Sequence, residues 1–278
     1  MSKVWFITGT SKGFGRVWAQ AALKRGDRVA ATARDASTLD GLVEEFGESV
    51  LPLSLDVTDR TAIDAAVAAT VERFGRIDVA INNAGYGLFG MIEEISEAEA
   101  RAQLETNVFG ALWVTQAVLP TMRAQGSGNI LQVSSIGGVN AFAGIGLYHA
   151  SKWALEGFSQ SLAAEVKEFG IHVTLIEPAG YATDWGGPSS VHASPLPAYA
   201  EARERMVKWR KERSMKPGDP EATGEAILAV VDAEEPPLRL FLGEAGLPMT
   251  RAEYERRLAE WEAWNHVAVA AQGEAVQA

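Results

Sequence analysis

Of the five tyrosines in this chain, only Tyr148 is followed by a lysine four positions later, Lys152. On a helix that spacing puts both side chains on one face. A phenol titrates at about 10 and is a poor acid or base at neutral pH, but a nearby ammonium stabilises the phenolate and lowers that value. The pair therefore suits general acid–base work, which typically contributes about 10² to 10⁴ in rate. Alone, the spacing is a weak signal, because many chains of this length contain it by chance.

A second pattern lies near the N-terminus, Thr8-Gly9-Thr10-Ser11-Lys12-Gly13-Phe14-Gly15. Glycines at 9, 13 and 15 permit a tight turn and let backbone N–H groups approach a pyrophosphate, and a following helix adds about half a unit of positive charge. The spacing is Gly-x-x-x-Gly-x-Gly rather than the commoner Gly-x-Gly-x-x-Gly of dinucleotide domains. The plainer reading is a glycine-rich strand–helix connection, but its place after the first apolar run favours a cofactor loop. An enzyme preferring NAD places an acid about 20 residues further on, against the ribose 2′-hydroxyl. Here the second apolar run ends Thr32-Ala33-Arg34. Arg34 offers a planar donor fork for a 2′-phosphate, and Lys12 in the loop is a second candidate. At roughly 1.5–3 kcal/mol per charge-assisted bond, two would favour NADP(H) by about 10² to 10⁴. The alternative for Arg34 is a solvated loop cation beside Asp35.

These residues need a frame. Six short apolar runs (3–8, 28–33, 50–54, 77–82, 129–134 and 172–177) have the continuous apolar character of strands buried on both faces. Amphipathic stretches at 14–25, 36–46, 61–74, 97–125 and 147–169 separate them. This alternation predicts an α/β fold: a Rossmann-type, doubly wound, mostly parallel sheet with helices on both faces, brought to seven strands by a run at 238–242. Residues 185–220 are rich in Gly, Pro, Ser and charge, with one helix expected near 198–211, and read as a substrate lid or insertion. Helices are expected at 221–231 and 251–264, and a flexible tail at 267–278. The whole of 1–278 reads as a single domain.

Composition narrows the class. The net charge of −11 argues against nucleic-acid and anionic-membrane partners. With no cysteine, there are no disulfides, thiolate nucleophiles or cysteine-ligated metals, and a reducing cytoplasm is expected. His149, His172, His192 and His266 lack ligand spacing, so no metal is expected. The apolar run Val4-Trp5-Phe6-Ile7 is too short for a signal segment or membrane span.

With both motifs in view, residues 3 to 184 resemble the short-chain dehydrogenases/reductases. The resemblance rests on the glycine loop, Asp56-Val57, Asn82-Asn83-Ala84-Gly85, Asn107, Ser135, Tyr148-x-x-x-Lys152, and Pro178 followed by Thr183. It implies that Tyr148 donates or accepts the proton at the substrate oxygen. Ser135, thirteen residues earlier and matched in preference to Ser134, would polarise that oxygen. Lys152 would hold the nicotinamide ribose and tune Tyr148, and Asn107 would anchor a water linking the lysine to solvent. Asp56 and Val57 would meet the adenine; Asn83, Ala84 and Gly85 would lie along its ribose. Thr183, with Pro178 and Gly180, would hold the nicotinamide carboxamide. The usual Pro-Gly is here Pro178-Ala179, with Gly180 one place later. The resemblance leans to a carbonyl or hydroxysteroid reductase branch, and implies a homodimer or homotetramer packed through the helices at 97–125 and 147–169.

Tyr86, Phe89, Phe142, Tyr181 and Trp185 are expected on loops at the carboxyl ends of strands and would line a pocket for a substrate with an apolar body. The expected activity is NADP(H)-dependent interconversion of a carbonyl and an alcohol. The first alternative is a catalytically silent NADP(H)-sensing protein on the same fold, which the presence of Asn107, Ser135, Tyr148 and Lys152 disfavours. The second, a lyase, epimerase or dehydratase using nicotinamide transiently, is disfavoured by the glycine spacing.

Overall fold

The computed structural model describes residues 2–187, 189–212 and 216–273. Its first strand, β1 (Val4–Ile7), is completely buried because each side chain has a helical layer to pack against. Trp5 and Ile7 point into one apolar cluster and Phe6 into the other, as the two-residue period of a strand requires. The next strands are β2 (Arg28–Ala33), β3 (Val50–Ser54) and β4 (Val79–Asn82). With β6 (Gly128–Val133), β7 (Ile171–Pro178) and β9 (Arg239–Leu242) they form a seven-stranded sheet in the order β3-β2-β1-β4-β6-β7-β9. Every pairing is parallel. Successive strands run outward from β1 on one side and then from β4 on the other. The break between those two is the switch point, where open α/β sheets bind ligands.

On one face lie α1 (Gly13–Lys24), α2 (Asp40–Phe46) and α8 (Thr223–Asp232). On the other lie α3 (Arg60–Phe74), α5 (Ala111–Gln125) and α6 (Gly146–Val166). The fully buried indole of Trp18 on α1 donates to the Thr223 hydroxyl at 2.8 Å and so docks α8. Among the described residues no helix is long and apolar enough to cross a membrane.

Three details depart from the sequence expectation. The helix expected over 97–125 is α4 (Glu97–Leu104), then a π-helical segment (Glu105–Gly110), then α5. The widened turn sits at Asn107, as such bulges often do at functional positions. A small parallel sheet of β5 (Leu88–Phe89) and β8 (Val191–His192) holds the start of the 185–220 segment; runs of two residues carry no periodicity to read. That segment also contains α7 (Ala200–Glu212), while its residues 188 and 213–215 lie outside the described residues. Finally, α9 (Gly246–Ala270) is longer than 251–264, so residues 267–270, expected in the tail, are helical; 274–278 lie outside the described residues.

Truncating Trp18 to Ala should cost about 3–5 kcal/mol, because it opens a cavity between α1 and α8 and frees Thr223. Denaturant unfolding with an unchanged m-value is the check.

Candidate active site

The cofactor half of the site is built at the carboxyl ends of β1 and β4. Thr8 closes the switch point: its hydroxyl accepts the backbone N–H groups of Asn83 and Ala84, both at 3.0 Å, and donates to the Ile81 carbonyl at 3.2 Å. The Asn83 amide donates to the Thr8 and Gly9 carbonyls at 2.9 Å each. Asn83 thus buttresses the glycine loop through its side chain. Gly9 (φ +71°) and Gly13 (φ +60°) hold left-handed backbone that side chains resist. A Cβ on Gly15 would lie 2.4 Å from the Gly9 carbonyl, whereas one on Gly13 would meet nothing within 4 Å. The loop is closed beneath and open above, between Ser11 and Phe14. The amino end of α1 has no acid in its first turn and no side-chain cap, whereas α3 and α4 are capped by Asp59 and Ser96. This donor set fits the pyrophosphate of a dinucleotide.

Arg34 stands exposed at the end of β2 with no ion pair among the described residues. Its neighbour Asp35 is turned to the Ser37 amide and hydroxyl, which hold its carboxyl below the usual range. The Lys12 ammonium pairs with Asp184 at 3.1 Å, which joins the glycine loop to the turn before the 185–220 segment. Asp56 accepts from the Thr58 amide and hydroxyl at 2.9 and 2.8 Å, which fixes its carboxylate beyond β3. Val57 packs on Gly110, where a Cβ would lie 2.8 Å from Val57 Cγ2.

The chemical half is built on α6 and the end of β6. Tyr148 and Lys152 are both buried, and the Lys152 ammonium lies 5.7 Å from the Tyr148 ring centroid. Lys152 Nζ donates to the Val133 carbonyl at 2.6 Å. The Ser135 side chain stands beside the Tyr148 phenol and draws its titration down, which selects it over Ser134, and it accepts from the Gly137 amide at 3.0 Å. Burial pushes the Tyr148 phenol up to about 12, with the Ser135 bond pulling the other way. Desolvation thus sets the direction at Tyr148, and the opposing pull comes from Ser135 in place of the expected Lys152. Burial pushes Lys152 down to about 8, against the opposing charge of Glu156.

Asn107 is fully engaged. Its Oδ1 accepts from the Tyr86 amide at 3.1 Å, and its Nδ2 donates to the Tyr86 carbonyl at 3.0 Å and the Ser151 hydroxyl at 3.1 Å. The side chain thus fastens the β4 loop to α6, and its Oδ1 keeps a second lone pair. Gly85 fits beneath: a Cβ there would lie 3.1 Å from Asn107 Oδ1 and 3.8 Å from Lys152 Nζ.

Over the phenol stands Trp185, its ring 4.8 Å from that of Tyr148 and 5.2 Å from that of Phe89, which stacks on His192 at 4.9 Å. Phe142 is held by His149: its amide donates to Nε2 at 2.9 Å, and the opposite ring nitrogen faces the Gly137 carbonyl at 2.9 Å. Tyr86 is half-buried toward Glu99. Tyr181 does not join this group. It packs edge-on against Phe14 at 5.2 Å and fills the space over Gly218, so its ring belongs to the core beneath the cofactor loop. Thr183 accepts from the Trp185 amide at 3.4 Å, Pro178 ends β7, and Gly180 accepts from Gly218 at 2.9 Å.

Sequence reasoning missed His149 and Glu94. The Glu94 carboxylate, its side chain fully buried, accepts from the Leu196 amide at 2.8 Å and from Arg203 Nη1 at 2.7 Å. Chiefly through Arg203, it is held down at about 2. The available signal for His149 was its place beside Tyr148; Glu94, 109 residues from Arg203, had none.

Seen as a whole, this is a parallel dinucleotide-type sheet with a Ser–Tyr–Lys group at its carboxyl edge. The family profile of the short chain dehydrogenases matches residues 3–192. Oxidoreductase BOA17 of Botryotinia fuckeliana is 43% identical over 272 residues, covering 97% of this chain and 99% of its own. The crystal structure of a short-chain dehydrogenase from Streptomyces avermitilis is 40% identical, with a TM-score of 0.89 over 97% of this chain and 98% of that one. An alcohol dehydrogenase from Thermococcus sibiricus, complexed with 5-hydroxy-NADP, is 25% identical, with a TM-score of 0.73 over 87% and 96% of the two chains. A short-chain dehydrogenase/reductase from Burkholderia phymatum, in complex with NAD, shares the fold at 24% identity and a TM-score of 0.79 over 93% and 95%. The chain belongs to the short-chain dehydrogenase/reductase family and is an oxidoreductase of that family. Its structural neighbours bind nicotinamide cofactors of both kinds.

Replacing Asn107 by Ala should leave the Tyr86 amide and carbonyl without side-chain partners and cost about 1–3 kcal/mol. Chemical denaturation reads the loss directly.

Proposed function

We propose that this protein interconverts a carbonyl and an alcohol by hydride transfer with NADP(H), using Tyr148 as proton donor or acceptor. The observation that carries this reading is the contact of the Ser135 hydroxyl with the Tyr148 phenol, above the buried Lys152 ammonium. Two hydroxyls that meet in this way can both bond one substrate oxygen. When bound, the nicotinamide supplies or accepts the hydride. Tyr148 then gives its proton to the developing alkoxide, or takes one from an alcohol, while Ser135 holds that oxygen by a hydrogen bond. Lys152 holds the nicotinamide ribose and stabilises the phenolate left behind. Trp185 and Phe89 shield the site from water and accept the apolar body of the substrate.

NADP(H) is favoured because Arg34 is exposed and unpaired among the described residues, and Ala33 leaves no acid to repel a 2′-phosphate. We place Asp56 and Val57 at the adenine, Asn83, Ala84 and Gly85 along its ribose, and Pro178, Gly180 and Thr183 at the carboxamide. Residues 185–220 act as a lid, tied down by Glu94 and by the Lys12–Asp184 pair. The protein is proposed to be a cytoplasmic homodimer or homotetramer packed through α5 and α6. Trp153 on α6 and Phe109, just before α5, expose 39% and 40% of their surfaces and suit that role.

Tyr148→Phe should abolish turnover and leave NADPH affinity largely intact; near-normal kcat would remove Tyr148 from the proton-transfer step. Arg34→Ala should weaken NADPH by about tenfold to a hundredfold and leave NADH little changed, as one charge-assisted contact implies. Equal losses for both cofactors, read by fluorescence titration, would remove Arg34 from the 2′-phosphate.

A further inference from the structure

Below the Ser135–Tyr148–Lys152 group, four buried oxygens have no hydrogen-bond partner while the acids are ionised: Ser134 Oγ, Glu156 Oε1 and both carboxyl oxygens of Glu177. Glu177, on β7, is completely buried and Glu156, on α6, is 5% exposed. The two carboxyls adjoin, since both approach the same Arg239 Nε, and the charge of Glu156 raises Glu177. One cation faces them both. Arg239 Nε, from β9, lies 2.8 Å from Glu156 Oε2 and 3.5 Å from Glu177 Oε1, and Arg239 Nη2 is taken up by Gln160 at 2.8 Å. Two adjoining buried carboxylates repel each other, and Arg239 is hydrogen-bonded to Glu156 while Glu177 lies 3.5 Å from it, so burial and the neighbouring charge favour one proton on the pair. A single proton between the two acids also turns one of them into a donor, which gives the orphaned oxygens a partner.

The pair reaches the active site along α6. Glu156 is one turn beyond Lys152 on the same helix face. Gly138 lets the active-site loop down onto it: a Cβ there would lie 2.4 Å from Ser134 Oγ and 3.1 Å from Glu156 Oε1. Lys152 in turn is bonded to the carbonyl of Val133, the residue before Ser134. The charged groups facing the pair are thus Lys152 from its own helix and Arg239 from β9.

We propose that Glu156 and Glu177 hold one shared buried proton, and that the pair is a positioning element which keeps Lys152 charged and the Tyr148 phenol ready for proton transfer. The link to Tyr148 rests on the reductase reading above. With one shared proton the pair carries a single negative charge at neutral pH, set between the cations of Arg239 and Lys152. Burial first, then Glu156, raises Glu177 far above the ordinary carboxylate range, while burial brings Lys152 down to about 8. As pH rises well above neutral the pair releases its proton to solvent and becomes doubly negative. That extra charge retains the proton on Lys152 when it would otherwise be lost.

The test uses the intact protein and the variants Glu177→Gln and Glu156→Gln. The wild type should show the infrared carbonyl band of a protonated carboxylic acid at neutral pH, fading as pH rises well above neutral, and Glu177→Gln should lack it. In kcat/KM against pH, with NADPH and an accepted ketone, Glu177→Gln should move the alkaline limb down by about one unit, a tenfold change in proton affinity. Glu156→Gln should move it further, because it removes the charge next to Lys152. A wild type without the band at neutral pH overturns the shared proton, and an unmoved limb in both variants overturns its hold on Lys152. If no ketone or aldehyde is reduced, the reductase reading fails separately. The pair is then judged by the band and by the pH dependence of NADPH binding, which the variants must shift for the inference to stand.

Discussion

A lysine ammonium held inside the protein is the constraint around which the active-site end of the fold is organised. Lys152 is 7% exposed, and its 2.6 Å bond to the Val133 carbonyl satisfies only one of its three donors. Such a group is tolerated when the structure around it supplies carbonyls and compensating charge. The end of β6 brings the carbonyl, and Glu156 on the next turn of α6 brings the charge. The π-helical segment brings Asn107 against Tyr86 and Ser151, on the same helix as Lys152. Tyr148 is then held beside the ammonium by the regularity of α6.

The cofactor end is organised differently, by backbone. The Thr8 hydroxyl and the Asn83 side-chain amide tie the backbone of Thr8, Gly9, Asn83 and Ala84 into a knot across the switch point. That knot fixes the loop without filling the space above Gly13. The two ends are joined by Asp184 and Trp185, neighbours in sequence. One pairs with Lys12 in the glycine loop and the other packs on the Tyr148 ring. A movement of this short turn is therefore felt at both the cofactor loop and Tyr148. Glu94 holds the following residues through Leu196 and Arg203, so the aromatic roof is anchored on both sides.

Much of this was legible in the chain itself. The doubly buried strands announce themselves as uninterrupted apolar runs, since a parallel sheet covered by helices has no polar face. The glycine loop was readable because only glycine tolerates the backbone at positions 9 and 13. The Tyr148–Lys152 spacing was readable because a helix converts four residues into one face. Each is a local rule, complete within a dozen residues.

What the sequence left undecided depends on partners distant along the chain. Lys12 and Arg34 are both cations near the glycine loop, and only the folded chain brings Asp184 to one of them. Tyr181 and Trp185 are aromatics four residues apart on one loop, yet one turns into the core over Phe14 and the other over Tyr148. Glu156 and Glu177 are separated by a helix end and a strand, and their contact needs β7 and α6 to be packed together. The sequence alone determined the parallel sheet, the phosphate loop and the Tyr–Lys pair, because short-range sterics and periodicity dictate them. The tertiary structure alone decided which charges meet, which rings face the site and how far burial moves each proton, because those depend on the low-dielectric surroundings that only long-range packing creates.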